Sequence, residues 1–179
     1  MVKYLLEVIY FMEKTVLVTG SSSGLGKSII EKFASNGWNN IITYFTHEKD
    51  ELEFNNYIIN TYYVDSKCFK LDVTSEKSIN ELNSKVTYLD VLINNAGISI
   101  DNDINLKSKD EFMKVVSVNL LGTFLMSKAF GKNMFERKSG SIINISSNNG
   151  IDSYYKESID YDASKAGVIN MGHNLANIY

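Results

Sequence analysis

Short apolar runs rich in Val and Ile alternate along the chain with longer segments in which apolar residues recur at helical spacing. The predicted strands are residues 16–19, 41–45, 68–71, 91–94 and 141–146, and the predicted helices are residues 25–36, about 48–60, 75–86, 109–134 and 160–178. Strands that alternate with helices in this way are typical of βαβ units with right-handed crossovers. The pattern therefore predicts an α/β fold with a doubly wound parallel sheet covered by helices on both faces.

Two of the predicted helices are preceded by a candidate N-cap residue. Thr74 and Ser108 stand directly before the segments that start at residues 75 and 109. A hydroxyl in that position accepts a hydrogen bond from one of the unpaired amides of the first turn, so both residues are predicted caps.

Composition narrows the functional classes. The 179 residues, 44% of them hydrophobic, suffice for one domain with a sizeable core. The formal net charge of −3 arises from interspersed acids and bases, which argues against a nucleic-acid or membrane-surface partner. Cys68 is the single cysteine, and no Cys or His spacing typical of a metal site occurs. The sequence thus favours a reducing cytoplasm and predicts no metal.

The first eleven residues are apolar but too short to cross a bilayer, and they lack the cleavage site of a secretory signal. Met12 stands directly before the first predicted strand and is a plausible alternative start. We therefore expect residues 1–11 to be an N-terminal extension and residues 12–179 to be the folded domain.

A glycine- and serine-rich turn follows the first predicted strand and leads directly into a helix. Free amides and the positive dipole end of such a helix suit a pyrophosphate, and glycines let a ligand approach the backbone. This placement predicts a Rossmann-like dinucleotide site, whereas the string alone could be an ordinary flexible loop. The predicted cofactor-binding residues of the turn are Gly20, Ser21, Ser22, Ser23, Gly24, Leu25 and Gly26.

The end of the second predicted strand bears on the choice between NAD and NADP. Dinucleotide sites usually place an acid there, about ~20 residues after the turn, to bind the adenosine ribose. Tyr44 occupies this position, so a 2′-phosphate would meet no repulsion from that side chain. We therefore favour NADP, with NAD still possible, because the nearest candidate cations are only His47 and Lys49.

Tyr161 and Lys165 lie four residues apart in a predicted helix, so their side chains share one face. A free phenol titrates near pH ~10, and a cation held beside a phenol favours the phenolate. The pair therefore predicts a tyrosine that exchanges protons at physiological pH. The alternative is a tyrosine that packs on a lysine stem, because a Tyr-x-x-x-Lys string also arises by chance.

Five short motifs follow one another in a defined order and spacing. They are Thr19 to Gly26, Leu71-Asp72-Val73, Asn94-Asn95-Ala96-Gly97, Val118-Asn119-Leu120, and Ile145-Ser146-Ser147 followed by Tyr161 and Lys165. From about residue 13 to its end, the chain resembles the short-chain dehydrogenase/reductase family, most closely its β-ketoacyl-acyl-carrier-protein reductase-like members. The resemblance implies an oxidoreductase that interconverts a carbonyl and an alcohol by hydride transfer with NAD(P).

The resemblance also implies roles for residues around the cofactor. Asp72 and Val73 would contact the adenine, and Asn95, Ala96 and Gly97 would bring backbone close to the ribose. A strand-ending turn is the alternative interpretation of residues 94–97.

Four residues match the family's catalytic positions. Tyr161 would donate the proton, and Lys165 would assist it and hydrogen-bond the nicotinamide ribose. Ser147 would hold the substrate oxygen, and Asn119 would hold a water that links Lys165 to solvent. We choose Ser147 over Ser146 because Ser147 precedes the x-x-Gly of residues 148–150, although strand-end capping is an alternative role for both serines.

The sequence departs from the family after the helix that carries Lys165. Family members continue with a further strand, a substrate-covering loop and a final strand, so we expect a fold incomplete at its C-terminal end. The implied function is an NADPH-dependent 3-oxoacyl-thioester reductase acting on a small-molecule or acyl-carrier-bound carbonyl, with a homo-oligomer for the full-length family member. Small ketones, sugars and quinones remain open as substrates. The alternative is a truncated, catalytically silent protein that binds a dinucleotide or pairs with subunits.

Overall fold

A computed structural model describes residues 14–46 and 48–179 and contains one five-stranded parallel sheet. The strands are β1 (Thr15–Val18), β2 (Asn39–Tyr44), β3 (Ser66–Lys70), β4 (Val91–Asn94) and β5 (Ser141–Asn144), in the spatial order β3-β2-β1-β4-β5. The helices are α1 (Gly24–Ala34), α2 (Glu48–Tyr62), α3 (Glu76–Lys85), α4 (Lys109–Val116), α5 (Gly122–Glu136) and α6 (Ile159–Ile178). The doubly wound parallel α/β fold is therefore confirmed. The predicted extension at residues 1–11 and the domain start at residue 12 lie outside the described residues.

Each face of the sheet has its own core because neighbouring side chains on a strand point to opposite faces. In β1, Leu17 packs into one core with Leu92 of β4 and Met126 of α5. Val16 and Val18 pack into the other core, which includes residues of α1 and α2. The strand order reverses beside β1, so the carboxyl ends of β1 and β4 flank the crevice where ligands bind in open α/β sheets.

One of the two predicted caps is wrong. The amide and hydroxyl of Thr74 both donate to Asp72 Oδ1, and Ser75 caps α3 by accepting the Ser78 amide at 3.3 Å. Ser108 is confirmed as the cap of α4, where it forms a capping box with Glu111. The sequence offered two neighbouring hydroxyls before α3, and the carboxylate of Asp72 engages the first of them.

The helix predicted at residues 109–134 is interrupted at its centre. A π-helical turn at Ser117–Leu121 separates α4 from α5, and it places Asn119 at a fully buried position. The Asn119 carbonyl accepts a hydrogen bond from Thr123 Oγ1 at 2.7 Å. Such wide turns often accompany functional sites.

β5 forms one edge of the sheet in the described part of the chain. A cavity of about 590 Å³ opens beside it, between the end of α5 and the second half of α6. Ile142 and Asn144 of β5 line this cavity together with Met134 and Leu175. None of the four predicted catalytic residues lines it, so the cavity is separate from the site described below.

Candidate active site

The turn after β1 is packed so closely that two of its residues must be glycine. Gly20 has a φ of +62°, and a Cβ there would lie 2.9 Å from the Ala96 Cα. A Cβ on Gly26 would lie 2.4 Å from the Gly20 carbonyl oxygen. The turn, the start of α1 and the end of β4 are therefore held at backbone contact distance.

The start of α1 has the features of an anion site. Its N-cap residue Ser23 makes no side-chain capping bond, and no acid lies in the first turn. Ser23, Gly24 and Leu25 are exposed, and a Cβ on Gly24 would meet nothing within 4 Å. Unpaired amides at the positive end of a helix that face open space fit the pyrophosphate of a dinucleotide.

Within the turn, the protein engages both the hydroxyl and the amide of Ser21, and the amide donates to the Thr43 carbonyl at 3.3 Å. The fully buried hydroxyl donates to the Val18 carbonyl at 3.0 Å and accepts the Thr43 amide at 2.8 Å. These bonds tie the end of β1 to β2. Ser22 is half-buried and Ser23 is exposed, so their side chains remain closer to solvent.

Thr19 contributes to this site, although the sequence predicted for it only the end of the first strand and the start of the glycine-turn motif. Its Oγ1 accepts the amides of Asn95 and Ala96 at 3.0 and 2.9 Å. The Asn95 side chain in turn donates to the carbonyls of Thr19 and Gly20, each at 3.0 Å. These bonds join the ends of β1 and β4 and fix the backbone on both sides of the crevice.

Tyr44, the predicted ribose-contacting residue, lies at the end of β2 and is buried. Burial raises the pKa of its hydroxyl, and a hydrogen bond with the Glu48 carboxylate raises that pKa further. The end of β2 itself carries no carboxylate. Glu48 begins α2, so the fold brings an acid beside Tyr44 from the following helix.

Asp72 and Val73, the predicted adenine contacts, follow β3. Oδ1 of Asp72 accepts the amide of Thr74 at 2.9 Å and its hydroxyl at 2.7 Å, which closes a tight turn. Val73 is buried beneath α5, and a Cβ on Gly122 would lie 2.8 Å from its Cγ2. The side chain of Val73 thus contributes to the core at this end of the sheet.

Lys165 lies on α6 with its ammonium in the interior. Nζ donates to the Ile145 carbonyl at 2.8 Å and lies 5.6 Å from the centroid of the Tyr161 ring. Only 4% of the residue is exposed, and this burial lowers the pKa of its ammonium group. Gly97 passes close by, because a Cβ there would lie 3.5 Å from Nζ.

We expect this burial to make folding stability depend on pH. Because the pKa of Lys165 is lower in the folded chain than its ordinary value of 10.5, the buried charge costs stability in full below the folded pKa. The cost is relieved as pH rises through the folded pKa towards the unfolded value. Urea unfolding should show a higher free energy of unfolding at about pH 9.5 than at about pH 7 in the wild type, and this increase should be absent in Lys165→Met. An equal change in the free energy of unfolding between the two pH values in both proteins would contradict the expectation.

Asn119 connects three segments from its buried position in the π-helical turn. Its side chain accepts the Ile98 amide at 2.8 Å and donates to the Ile98 carbonyl at 3.0 Å. It also donates to Ser164 Oγ at 3.0 Å. The predicted water-holding role of Asn119 stays a prediction, whereas its side chain demonstrably fixes the loop after β4 to α6.

The two adjacent serines after β5 differ in their bonding. Ser146 Oγ donates to the Lys165 carbonyl at 2.8 Å and so fastens the strand end to α6. Ser147 is half-buried, donates to Asn148 Oδ1 at 3.2 Å and accepts the Asn149 amide at 3.2 Å. Only local, long hydrogen bonds hold Ser147, which makes its hydroxyl the freer of the two.

The fold therefore gathers the predicted residues at the carboxyl edge of the sheet. Residues after β1 and β4 form the crevice, the π-helical turn supports it, and α6 brings Tyr161 and Lys165 to the end of β5. Among the residues the structure describes, no cluster of three or more His, Cys, Asp or Glu is arranged to hold a metal. No helix in that part of the chain is long and apolar enough to cross a membrane.

A profile described as short chain dehydrogenase matches residues 14–179. The chain belongs to the short-chain dehydrogenase family. Members of this family are oxidoreductases that bind NAD or NADP. The match covers the whole crevice and the four predicted catalytic positions.

Relatives within the family include two bacterial 3-oxoacyl-[acyl-carrier-protein] reductases. The protein of Aquifex aeolicus is 36% identical over 167 residues, which is 91% of this chain and 66% of the relative. That of Rickettsia typhi is 36% identical over 170 residues, covering 94% of this chain and 68% of the relative. The chain thus spans about two thirds of the length of these relatives.

Solved structures of similar fold agree with the family. A bulky-bulky ketone-specific alcohol dehydrogenase from Comamonas testosteroni has a TM-score of 0.83 at 25% identity, covering 90% of this chain and 66% of that one. A short-chain dehydrogenase from Sphingobium yanoikuyae in complex with NADPH has a TM-score of 0.84 at 22% identity, covering 90% and 64%. At its lower identity, the second structure supports the fold alone.

Proposed function

We propose that this chain carries the cofactor site and catalytic residues of an NAD(P)H-dependent carbonyl reductase. The observation that carries the proposal is the buried Lys165 ammonium, 5.6 Å from the centre of the Tyr161 ring and beside the backbone of Gly97. A buried cation next to a phenol is an arrangement that promotes proton transfer by the phenol. It lies at the edge of the sheet where the glycine turn offers a fit for a dinucleotide.

Each of the four proposed catalytic residues has its own role in the reduction of the carbonyl. A reduced nicotinamide held in this crevice would supply the hydride for the carbonyl carbon. Tyr161 donates the proton to the carbonyl oxygen, and Ser147 holds that oxygen with its hydroxyl. Lys165 holds its ammonium beside the Tyr161 ring, and Asn119 keeps the loop of Gly97 and Ile98 against α6.

For the substrate, we propose a 3-oxoacyl thioester, free or on an acyl carrier. The support is the 36% identity to two reductases whose names state that chemistry. We place the reaction in the cytoplasm, in keeping with a single free cysteine, Cys68. A homo-oligomer is proposed for the full-length protein.

The proposed cofactor is NADPH, because Tyr44 places no charge of its own beside an adenosine 2′-phosphate. Glu48 weakens this argument, since its carboxylate lies close enough to raise the pKa of the Tyr44 hydroxyl, and the same negative charge would repel such a phosphate. The variant Glu48→Gln removes the repulsion by the Glu48 carboxylate and leaves the uncharged Tyr44 in place. If Glu48 opposes the phosphate, the variant should bind NADPH more tightly and NADH unchanged.

The test is oxidation of NADPH and of NADH by the purified chain with an acetoacetyl thioester, followed by the loss of reduced nicotinamide absorbance. A version extended through the C-terminal part that the relatives possess is assayed beside it. Turnover in both supports a complete reductase site in these residues. Cofactor binding without turnover in either version favours the second candidate, a silent dinucleotide-binding or subunit-pairing protein.

The adjacent serines provide a matched test of the catalytic assignment. We expect Ser147→Ala to lower kcat by about 10²-fold, because it removes a hydrogen bond to the reacting oxygen. Ser146→Ala should instead lower the free energy of unfolding by about 1 kcal/mol, because the bond to the Lys165 carbonyl is lost. Steady-state kinetics and urea unfolding of both variants check this, and a larger loss of kcat in Ser146→Ala would reverse the assignment.

A further inference from the structure

A buried ion pair joins the loop after β4 to the first turn of α6. Lys107 Nζ lies 2.9 Å from Asp160 Oδ2, and the two side chains are 3% and 0% exposed. The pair of Lys128 and Glu76 is a useful contrast, because its atoms are 3.5 Å apart and its side chains are 63% and 67% exposed. The pair of Lys107 and Asp160 thus differs in kind from a solvated surface pair.

On the helix side, the pair is connected directly to Tyr161. Asp160 is the second residue of α6, and its Oδ1 accepts the Tyr161 amide at 2.9 Å. Ser158, the N-cap residue, makes no side-chain capping bond to the helix. Asp160 therefore satisfies one of the unpaired amides of the first turn, and that amide belongs to the residue that carries the phenol.

On the loop side, the pair fixes a segment that has little regular structure of its own. Lys107 Nζ also donates to the Ile100 carbonyl, and the Asn102 amide donates to the Glu157 carbonyl at 3.1 Å. Nearer to β4, the same loop contains Ile98, which Asn119 holds through two hydrogen bonds. The loop is therefore fastened at both ends to the elements that surround the crevice.

Stability alone is a weak reason for such a pair. Removing two charges from water is costly, and neutral residues of similar volume often replace a buried ion pair without loss of stability. Neutral apolar residues cannot form the directional, charge-assisted hydrogen bond that fixes the position of one segment relative to the other. The pair lies directly before Tyr161, whose amide donates to the same Asp160 side chain.

We propose that Lys107 and Asp160 are positioning residues for Tyr161. Their ion pair holds the first turn of α6 against the loop after β4, so that the phenol keeps its place beside the Lys165 ammonium. The inference deepens the proposed carbonyl chemistry and rests on it for its catalytic consequence. The mechanical part, the restraint of residues 157–161 by Lys107, stands on the contacts alone.

The test compares three variants. Lys107→Met and Asp160→Asn each leave one buried partner unpaired and can unfold the chain, so the double variant is the decisive one. It removes both charges at similar volume and keeps an oxygen that can accept the Tyr161 amide. Lys128→Met with Glu76→Gln is the matched control at an exposed pair.

The readouts separate positioning from stability. We expect the double variant to keep a melting temperature near that of wild type, while amide exchange in peptides within residues 98–107 and 157–166 becomes at least about tenfold faster. In whichever version of the chain turns over, kcat should fall by about 10²-fold with the KM for cofactor unchanged. The control pair should change neither exchange nor kcat.

Two results would overturn the inference. One is an amide exchange rate in the double variant that equals the wild-type rate in the peptide containing Tyr161. This result would overturn the inference even if the wild-type chain shows no turnover. The other is a double variant in which both kcat and the melting temperature return from the values of the single variants to those of the wild type. A pair with only a structural role would behave in that way. Absent turnover in the wild-type chain and its extended version would instead count against the proposed function.

Discussion

Tyr161→Phe is expected to abolish carbonyl reduction and to leave cofactor binding nearly intact. The substitution removes the ionisable oxygen and keeps the ring that lies 5.6 Å from Lys165 Nζ. A positioned acid contributes about 10²–10⁴-fold to a rate, and kcat should fall by that factor. The Lys165 ammonium keeps its bond to the Ile145 carbonyl, so the fold of the site should not change.

The measurement pairs steady-state kinetics with a fluorescence titration of reduced cofactor. Tyr155→Phe is the control, because Tyr155 lies in the same segment and is 70% exposed. Retention of more than about a tenth of the wild-type kcat in Tyr161→Phe would remove Tyr161 from the role of acid. Loss of cofactor binding in Tyr161→Phe would show instead that the hydroxyl has a structural role.

Gly26→Ala is expected to disrupt both the fold and the cofactor crevice. The new methyl group would lie 2.4 Å from the Gly20 carbonyl oxygen and 2.7 Å from Asn95 Nδ2. Because the nearest atom belongs to the backbone, the turn after β1 must shift away from the end of β4. Overpacking of this kind costs about 1–3 kcal/mol or more, and about 2–4 °C in Tm accompanies each kcal/mol in a chain of this size. Cofactor affinity should fall with it, because the displaced turn carries the amides proposed to bind the pyrophosphate.

Gly172→Ala provides the control for this second prediction. Gly172 lies in α6, and a Cβ there would meet the Asn144 side chain at an ordinary 3.7 Å from Nδ2. Alanine favours a helix over glycine by about 1 kcal/mol, so Gly172→Ala should leave the Tm unchanged or raise it. Calorimetry of both variants checks the contrast, and equal Tm values would show that the turn relaxes without cost.

The fold could be predicted because its signals are local. The apolar pattern of β1 reports a strand buried on both faces, and the structure places Leu17 in one core and Val16 and Val18 in the other. The signal for the proposed catalytic pair on α6 is also local, since helical spacing alone brings Tyr161 and Lys165 to one face.

Features set by long-range contacts could not be predicted in this way. Lys107 and Asp160 are 53 residues apart in sequence, and neither stands in a motif that marks it. Glu48 approaches Tyr44 only because α2 begins beside the end of β2. The π-helical turn could not be predicted because the apolar spacing of residues 109–134 fits a continuous helix. The hydrogen bonds of Asn119 join it to residues distant in sequence, so they are visible only in the folded chain.

The π-helical turn lets this part of the chain carry one residue more than a continuous α-helix would between the same flanking helices. Its hydrogen bonds join residues five apart instead of four, so the turn takes up the extra residue while the faces of α4 and α5 keep about the same direction. Deleting one residue at Ser117–Leu121 should therefore give a regular helix in which Val115 and Met126, both fully buried, stay in the interior. The deletion would remove the bulge that places Asn119, so an in-frame loss of a single codon here should harm the site more than the fold.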